Sequence, residues 1–434
     1  MSTSTFTLKE VSLADGKITN IVVSSDVITS IGSDIEGDVI DCKGLIALSG
    51  LVDLHTHLRE PGKEDSETVL SGSMAAIKGG FTAVSAMANT SPVADTAGVV
   101  EQVFRLGKEA GLCAVFPIGA VTVGLNGDAL SELGAMADSA ARVRIFSDDG
   151  KCVSDPLVMR RALEYVKSFG GVIAQHAQDP RLTVNSQMNE GEISSRLGLT
   201  GWPAVAEEAI IARDILLADH VKSRLHICHL TTKGGVELVR WAKTQGIDVT
   251  AEVTPHHLLL TDNLVESYDP VYKVNPPLRT QEDVLALRAG LMDGTIDIVA
   301  TDHAPHPIED KECEWSAAAF GMVGLETALS IVVATMMKDG KFSWIDVERT
   351  MSRKPAEIGG YMRQGQPIAA GNAANIVVIN PTQKWSVDRE QLSSKSRNTP
   401  FHGMELPAKV VHTIYEGVFV VKDEKLTGST KAGA

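Results

Sequence analysis

The stretch Gly50-Leu51-Val52-Asp53-Leu54-His55-Thr56-His57-Leu58-Arg59-Glu60-Pro61 begins as an apolar strand and ends in side chains that can bind a metal ion. Side chains alternate between the two faces of a strand, so we expect His55 and His57 to point the same way. Two imidazoles one pleat repeat apart can bind a single ion such as zinc. Arg59 has the same parity, and its guanidinium favours an anionic substrate because it binds carboxylate through two parallel hydrogen bonds. An isolated His-x-His is more often coincidental, so the rest of the chain has to support this interpretation.

The composition limits the function classes that need to be considered. The chain has 434 residues, of which 44% are hydrophobic and 22% charged, and its formal net charge is -15. This length allows one large catalytic domain with a smaller satellite. The negative charge argues against a general nucleic-acid or anionic-membrane binder. No apolar run approaches membrane-spanning length, no signal-peptide pattern is visible, and the scattered cysteines lack a C-x-x-C pair, so we expect a cytoplasmic protein.

The two ends of the chain differ in pattern from its middle. Residues 1–48 read as short strands with turn signals, among them the hairpin-type turn Asp15-Gly16. Residues 371–434 look similar, with the strand-like runs NIVVINP and KVVHTIYEGVFVVKDEKL. We therefore predict a small β-sandwich made from both chain ends, with residues 49–370 forming the catalytic domain between them.

The middle of the chain alternates strand and helix eight times. The predicted strands are short, apolar and rich in Val, Ile and Ala, as buried parallel strands are. Eight such units in one domain favour a TIM-type (β/α)8 barrel, whose active sites lie at the carboxyl ends of the strands. The predicted strands are 50–57, 81–88, 113–121, 143–148, 172–177, 224–229, 248–255 and 297–302.

Side chains suited to metal binding follow five of these strands. Besides the first pair of histidines, they are Asp148 and Asp149 after strand four, His176 after strand five, His229 after strand six and Asp302 after strand eight. Each of these is weak evidence alone, but all lie at the barrel end where sites form. Four imidazoles and two carboxylates suffice for two zinc ions, with an aspartate and a hydroxide bridging them to offset their repulsion. From the residues alone, either aspartate of strand four could reach a metal ion.

Nine motifs follow one another along the chain: HTHLREPG, GGFTAV, MANT, FSDDG, GWPAVAEEAIIARDILLA, HICHLTTKG, VTAEVTPHHL, NPPLR and ATDHAPH. Together they resemble the dihydroorotase family, in its bacterial type I class within the amidohydrolase superfamily. The resemblance runs from about residue 45 to about 410 and implies a distorted TIM barrel with a small β-domain built from both chain ends. It also implies reversible cyclisation of N-carbamoyl-L-aspartate to L-dihydroorotate and water, a step of pyrimidine (UMP) biosynthesis.

The resemblance also implies roles for individual residues. The zinc ligands would be His55, His57 and Asp302 on one ion, His176 and His229 on the other, and Asp149 as the bridge. Asp302 would also be the catalytic acid and base. The substrate-binding residues would be His57, Arg59, Asn89, Asn275, His306, Phe320 and Gly321. In MANT, Ala88 replaces the proline that the family pattern has, while Asn89 keeps its place.

Three further residues and one loop are interpreted from position alone. Alternation along strand six turns Cys228 away from the face that carries His229. Glu252 and Lys273 face the barrel mouth by position, and the sequence assigns them no role. The stretch 306–321, HPIEDKECEWSAAAFG, has no clear period and could be an ordinary surface connection. We expect a mobile lid over the site instead, because Phe320-Gly321 matches a substrate-facing motif of the family.

Two other functions compete with this interpretation. A hydantoinase or allantoinase would usually bridge its metals with a carboxylated lysine, but VRIFSDDG offers no lysine within the strand. A catalytically silent scaffold bound to aspartate transcarbamoylase would be expected to have lost metal ligands, which this chain keeps. Homodimer formation, and docking of an active enzyme to a transcarbamoylase, remain open at this point.

Overall fold

The computed structural model describes residues 5–428 and residue 430. The chain opens with five strands, passes through the alternating region, and closes with four more strands. The opening strands are β1 (Thr5–Leu13), β2 (Ile18–Ser24), β3 (Val27–Gly32), β4 (Asp38–Asp41) and β5 (Ile46–Ser49).

The alternating region contains all eight predicted strands, each somewhat shorter than predicted. Its elements are β6 (Leu51–Thr56), α1 (Val69–Lys78), β7 (Phe81–Ala86), α2 (Ala97–Ala110), β8 (Ala114–Pro117), α3 (Leu133–Asp138), β9 (Ile145–Phe146), α4 (Pro156–Lys167), β10 (Val172–Gln175), β11 (Met188–Asn189), α5 (Glu192–Leu197), β12 (Gly201–Trp202), α6 (Val205–Val221), β13 (Leu225–Ile227), α7 (Lys233–Thr244), β14 (Val249–Val253), α8 (Pro255–Leu259), α9 (Gln281–Asp293) and β15 (Ile298–Val299). After these come α10 (Ile308–Lys311), α11 (Ala328–Met336), α12 (Trp344–Glu348), a π-helical turn (Arg349–Arg353), α13 (Lys354–Gly359), β16 (Ile376–Ser386), β17 (Glu405–Tyr415), β18 (Val418–Lys422) and β19 (Lys425–Leu426).

The eight central strands close into a parallel barrel. Two runs of strands, β6-β7-β8 and β9-β10-β13-β14-β15, pair in parallel. Single bridges join them, Gly119 with Phe146 on one side and Thr56 with His303 on the other. Strands β11 and β12 pair with each other in a separate two-stranded sheet. Closure brings the carboxyl ends of all eight strands to one face, where the polar residues of the sequence motifs lie.

Local capping signals explain where several barrel helices begin. The side chain of Thr68 accepts a hydrogen bond from the Ser71 N–H ahead of α1, and Ser71 reciprocates in a capping box. Ahead of α4, Asp155 accepts from two backbone N–H groups, and Pro156 occupies the first helical position. These caps satisfy N–H groups that the helices leave free, and they set the loop lengths between strand ends and helices.

The chain-end strands form one nine-stranded sheet beside the barrel. Its order is β19-β18-β17-β16-β5-β1-β2-β3, with β4 also paired to β1. A bulge near Glu10, whose φ is 56°, lets β1 change partner from β4 to β5 along one edge. The C-terminal β16 lies antiparallel to β5, with Ile376 opposite Ser49. Both chain ends therefore contribute to one β-rich unit, and its boundaries at residues 48 and 371 stay a prediction.

Two observations concern sequence features weighed above. Over the described residues, no helix is both long enough and apolar enough to cross a membrane. The five cysteines are all free thiols, three of them buried.

Candidate active site

Six polar side chains meet at the carboxyl end of the barrel. Two of them lie at the end of β6, the other four each follow a different strand, and each is at most 4% exposed. Burial of this many ionisable groups is costly unless they bind one another or a cation. The six residues are His55, His57, Asp149, His176, His229 and Asp302.

One group of possible ligands consists of His55, His57 and Asp149, whose ligand atoms lie within 4.8 Å of one another. His57 Nε2 is 3.3 Å from Asp149 Oδ2 and 3.1 Å from Asp302 Oδ1. His55 Nε2 is 3.4 Å from Asp149 Oδ1, and although it is buried it has no hydrogen-bond partner. This nitrogen is buried, lacks a partner and faces two carboxylates. Such an arrangement is typical of a nitrogen that binds a metal ion.

The second group consists of Asp149, His176 and His229, again within 4.8 Å. His176 Nδ1 lies 2.9 Å from His229 Nε2, and both nitrogens lie close to Asp149 Oδ1, at 3.2 and 3.1 Å. Asp149 belongs to both groups, so a single carboxylate lies where two ions would need an anionic bridge.

In three histidines the outward ring nitrogen donates to an oxygen, and the inward nitrogen is turned towards the carboxylates of the cluster. His55 Nδ1 lies 2.6 Å from Glu252 Oε1, and His57 Nδ1 lies 2.9 Å from Asn89 Oδ1. His176 Nε2 lies 2.8 Å from Gln178 Oε1. Oxygen partners on the far side of the ring are typical of histidines that bind metals. The donor set therefore fits zinc, which takes imidazole and carboxylate ligands.

The two carboxylates of the cluster are held in the ionised form that metal binding needs. Burial would raise the pKa of Asp149, but His55, His176 and His229 hold it well below its usual value. Burial acts on Asp302 in the same sense, and the hydrogen bond from His57 with the neighbouring histidines still lowers its pKa. Both groups carry negative charge at neutral pH and attract cations.

Asp148 points away from this cluster. One of its carboxylate oxygens accepts hydrogen bonds from the backbone N–H groups of Val121 (2.8 Å) and Thr122 (3.0 Å), and the other accepts from the Thr122 hydroxyl. These contacts fix the loop after β8 and use both oxygens. Of the two aspartates that the sequence left open, only Asp149 reaches the histidines.

Glu252 lies directly behind His55, a position that sequence reasoning left without a role. Its other oxygen, Oε2, is 3.0 Å from His226 Nε2, and His226 Nδ1 is 2.7 Å from Thr250 Oγ1. This chain of contacts fixes the orientation of the His55 ring from inside the barrel. The sequence did hold a signal for this position, because alternation along β14 predicts that the Glu252 side chain points into the barrel.

The expectation for Cys228 was wrong. Its thiol lies within 4.8 Å of the ligand atoms of His55 and Glu252, inside the barrel. Strand β13 ends at Ile227, and His229 has a left-handed backbone with φ of 28°. Alternation of faces holds only within a strand, so it could not decide the direction of a side chain beyond the strand end.

The candidate substrate residues form one side of the same cavity. Arg59 Nε donates to the Pro305 carbonyl at 3.0 Å, and its Nη2 is 3.4 Å from His306 Nε2. Burial lowers the pKa of Arg59 to about 10, so it stays charged, whereas burial and then Arg59 lower the pKa of His306 to about 3. A fixed guanidinium beside a neutral imidazole suits a carboxylate ligand.

Asn89, Asn275 and the Phe320-Gly321 pair complete this side. Asn89 uses Oδ1 for His57 and so can offer its amide N–H groups to a ligand. Asn275 Oδ1 is buried with no hydrogen-bond partner, so a ligand could satisfy it. The Phe320 carbonyl lies 2.8 Å from His306 Nε2, which places the end of the 306–321 loop against the same histidine. The loop contains the short helix α10, which its lack of period did not indicate.

Known proteins were compared with this chain by family, sequence and structure. The sequence model of the family described as dihydro-orotase-like matches residues 44–235. The chain is 63% identical to a dihydroorotase of Streptomyces coelicolor, covering 95% of this chain and 97% of that protein. It is 62% identical to a dihydroorotase of Leifsonia xyli subsp. xyli, with 98% and 97% covered.

Solved structures support the fold. An L-hydantoinase (dihydropyrimidinase) from Arthrobacter aurescens superposes with a TM-score of 0.88 at 26% identity, covering 99% of this chain and 98% of that one. A dihydropyrimidinase from Brevibacillus agri NCHU1002 has a TM-score of 0.86 at 22% identity, with 99% and 97% covered, and shows the fold alone. The predicted distorted TIM barrel with a β-rich unit from both chain ends is confirmed. Near-full-length identity above 60% to two dihydroorotases shows that the chain belongs to the dihydroorotase family.

Proposed function

We propose that this protein is a cytoplasmic, zinc-dependent dihydroorotase that reversibly cyclises N-carbamoyl-L-aspartate to L-dihydroorotate and water in pyrimidine (UMP) biosynthesis. The observation that carries the proposal is the position of Asp149, which belongs to both groups of candidate ligands and interacts electrostatically with the buried Arg59. Two metal sites with one anionic bridge suit amide hydrolysis, and the arginine suits a substrate with a carboxylate.

The residues would hold two zinc ions per chain. His55, His57 and Asp302 would bind one, His176 and His229 the other, and Asp149 with a hydroxide would bridge them. Support comes from the partnerless Nε2 of His55 and from the oxygen partners that fix the tautomers of three histidines. Zinc bound in this way supplies Lewis acidity and a hydroxide at neutral pH.

In the hydrolytic direction, Asp302 is the proton carrier. Its Oδ1 lies 3.1 Å from His57 Nε2 at the centre of the ligand cluster, and the ionised carboxylate can accept the proton of the attacking oxygen. It then delivers that proton to the leaving ring nitrogen. In the direction of synthesis the same carboxylate takes the proton from the carbamoyl nitrogen as the ring closes.

The remaining residues orient the substrate. Arg59, with Asn89 and His306, would bind the carboxylate that does not react, and would fix the ring relative to the zinc ligands. Asn275 and the Phe320-Gly321 backbone would contact the ring from the opposite side. The buried, partnerless Oδ1 of Asn275 supports this assignment.

A hydantoinase activity is the second candidate, because solved hydantoinases share the fold. The bridging position argues against it, because Asp149 would fill that position and β9 carries no lysine. Arg59 also argues against it, because an uncharged hydantoin offers no carboxylate for a buried guanidinium. A silent scaffold is disfavoured by the full set of buried ligands.

The test is an assay of purified protein with zinc and dihydroorotate, followed by loss of ring absorbance, with hydantoin and allantoin as parallel substrates. We expect turnover of dihydroorotate and little of the other two. Faster turnover of hydantoin or allantoin would support the second candidate, and no turnover of any of them would support a scaffold.

A further inference from the structure

Two buried lysines contact the backbone of the 306–321 loop, whose end lies against His306. Lys273 lies on the segment that leads to Asn275, and Lys311 lies at the end of α10 within the 306–321 loop. Their exposed fractions are 2% and 5%. Among the residues that the structure describes, neither has a carboxylate within salt-bridge distance. Buried ammonium groups without a counter-charge are costly, so their contacts need an explanation.

The Lys311 ammonium group donates to three carbonyl oxygens. They belong to Lys273 (3.1 Å), Ala319 (2.9 Å) and Gly321 (3.0 Å). An ammonium group has three N–H donors and no acceptor, so all three donors are used. One side chain therefore connects the start of the loop, its end and the neighbouring segment.

Lys273 contacts the same loop through both its side chain and its carbonyl. Its Nζ donates to the carbonyls of Trp315 (2.6 Å) and Ser316 (3.2 Å) and lies 4.6 Å from the centre of the Phe320 ring. Its carbonyl accepts from Lys311 and also from the Gly321 N–H at 3.0 Å. We call this pair, Lys273 and Lys311, the lysine clasp.

The clasp fixes the backbone that faces the substrate. The Gly321 carbonyl accepts from Lys311 and from Asn398 Nδ2, at 3.0 and 3.1 Å, while its N–H is held by Lys273. Its φ is 146°, and a Cβ there would lie 2.8 Å from His306 Nε2. The N–H and the carbonyl of Gly321 are thus both hydrogen-bonded, and Gly321 packs against His306. A small shift of the lysine clasp would therefore move the backbone that the proposed function places against the substrate.

We propose that Lys273 and Lys311 are positioning residues that hold the 306–321 loop closed and set the place of Phe320 and Gly321. The expected change in KM rests on the proposed function, whereas the expected change in loop mobility does not. Only the ammonium form has the three N–H donors that Lys311 uses for these carbonyls, and burial lowers the pKa of Lys311 to about 7. Methionine fills similar space without any donor, so Lys311→Met would remove the Lys311 donor from the Ala319 carbonyl and one of two donors from the carbonyls of Lys273 and Gly321.

Lys311→Met and Lys273→Met test the clasp, with the exposed α10 residue Glu309→Gln as the control. Hydrogen exchange read by mass spectrometry on zinc-loaded protein should show residues 310–321 exchanging at least about tenfold faster in both variants. KM for dihydroorotate should rise by about tenfold with kcat changed less, because ground-state positioning is lost. Zinc content should equal that of the wild type, and the double variant should add little to either single one.

Unchanged exchange in residues 310–321 of both variants would overturn the proposal. Faster exchange spread through the barrel strands would also overturn it, since the lysines would then support the fold rather than the loop. Exchange needs no turnover, so local loosening in a protein that does not act on dihydroorotate would leave the clasp supported and the proposed function refuted.

Discussion

Asp148 and Asp149 are adjacent residues of one type, but the backbone turns them into different surroundings. Asp148 satisfies N–H groups of a loop, and Asp149 faces four imidazoles. The difference is one of direction, since both are buried. Chemical role in this site therefore depends on where each carboxylate points rather than on residue type.

Asp149→Asn should weaken zinc binding and lower kcat by about a thousandfold or more, because the shape remains while the negative charge between two cations is lost. Asp148→Asn should keep zinc content and most activity, and should cost about 1–3 kcal/mol of stability through its loop contacts. Elemental analysis, kinetics and urea unfolding separate the two. Loss of zinc from the Asp148 variant alone would reverse the assignment.

Arg59 combines a structural and a substrate contact in one side chain. Its Nε already donates to Pro305, which leaves the other nitrogens for a ligand. Arg59→Lys keeps the charge but loses the fork, so kcat/KM for dihydroorotate should fall by at least about tenfold, or roughly 1.4 kcal/mol. Any activity on an uncharged cyclic amide should fall much less. Equal losses on both substrates would mean that the carboxylate binds elsewhere.

Among the elements, the segment 393–399 links the barrel to the chain-end strands. Glu326, ahead of α11, accepts from the N–H groups of Ser393 (2.7 Å) and Ser394 (3.4 Å). Asn398 Nδ2 donates to the Ala304 carbonyl at 2.9 Å on the loop after β15. The segment therefore supports both the ligand loop and the 306–321 loop, although neither is near it in sequence.

The stability of the fold depends on pH through the carboxyl group of Glu326. Burial raises its pKa to about 7, although the two serine N–H groups oppose the shift. The folded state then binds the proton more tightly than the unfolded chain does. The contribution of this proton to the free energy of unfolding is therefore complete below the unfolded pKa and is lost as the pH rises towards 7. Between about pH 5 and about pH 8 the loss should approach roughly 3 kcal/mol.

Urea unfolding of the wild type and Glu326→Gln at those two pH values measures this effect. The variant has no proton to lose, so its stability should fall less over the same interval. The exposed Glu405→Gln serves as control and should behave like the wild type. An equal pH dependence in wild type and Glu326→Gln would show that this carboxyl does not titrate in that range.

For the whole molecule, barrel closure brings ligands from five strands to one place. We expect about two zinc ions per chain at saturation, and about one in the His176→Ala, His229→Ala double variant.

Because Asp149 is already a carboxylate, metal-free protein should recover full activity with zinc alone in buffer purged of carbon dioxide. Elemental analysis showing one ion in the wild type, or a need for bicarbonate, would contradict the two-zinc site with an aspartate bridge.

The sequence by itself determined the barrel and the strand-end positions of the candidate ligands. Buried parallel strands read as short apolar runs, and the rule that sites lie at their carboxyl ends needs no coordinates. The resemblance to the dihydroorotase family followed from ordered motifs and is borne out by the comparisons.

Only the tertiary structure decided which way side chains point beyond the strand ends. His229 and Asp302 have left-handed backbones, with φ of 28° and 46°, so alternation no longer applies there and Cys228 was misplaced. Glu252 behind His55, and the lysine clasp on the 306–321 loop, join residues distant in sequence through contacts that no local pattern encodes. Local propensity and periodicity report on neighbours along the chain, whereas these contacts exist because closure of the barrel and packing of the loop bring the partners together.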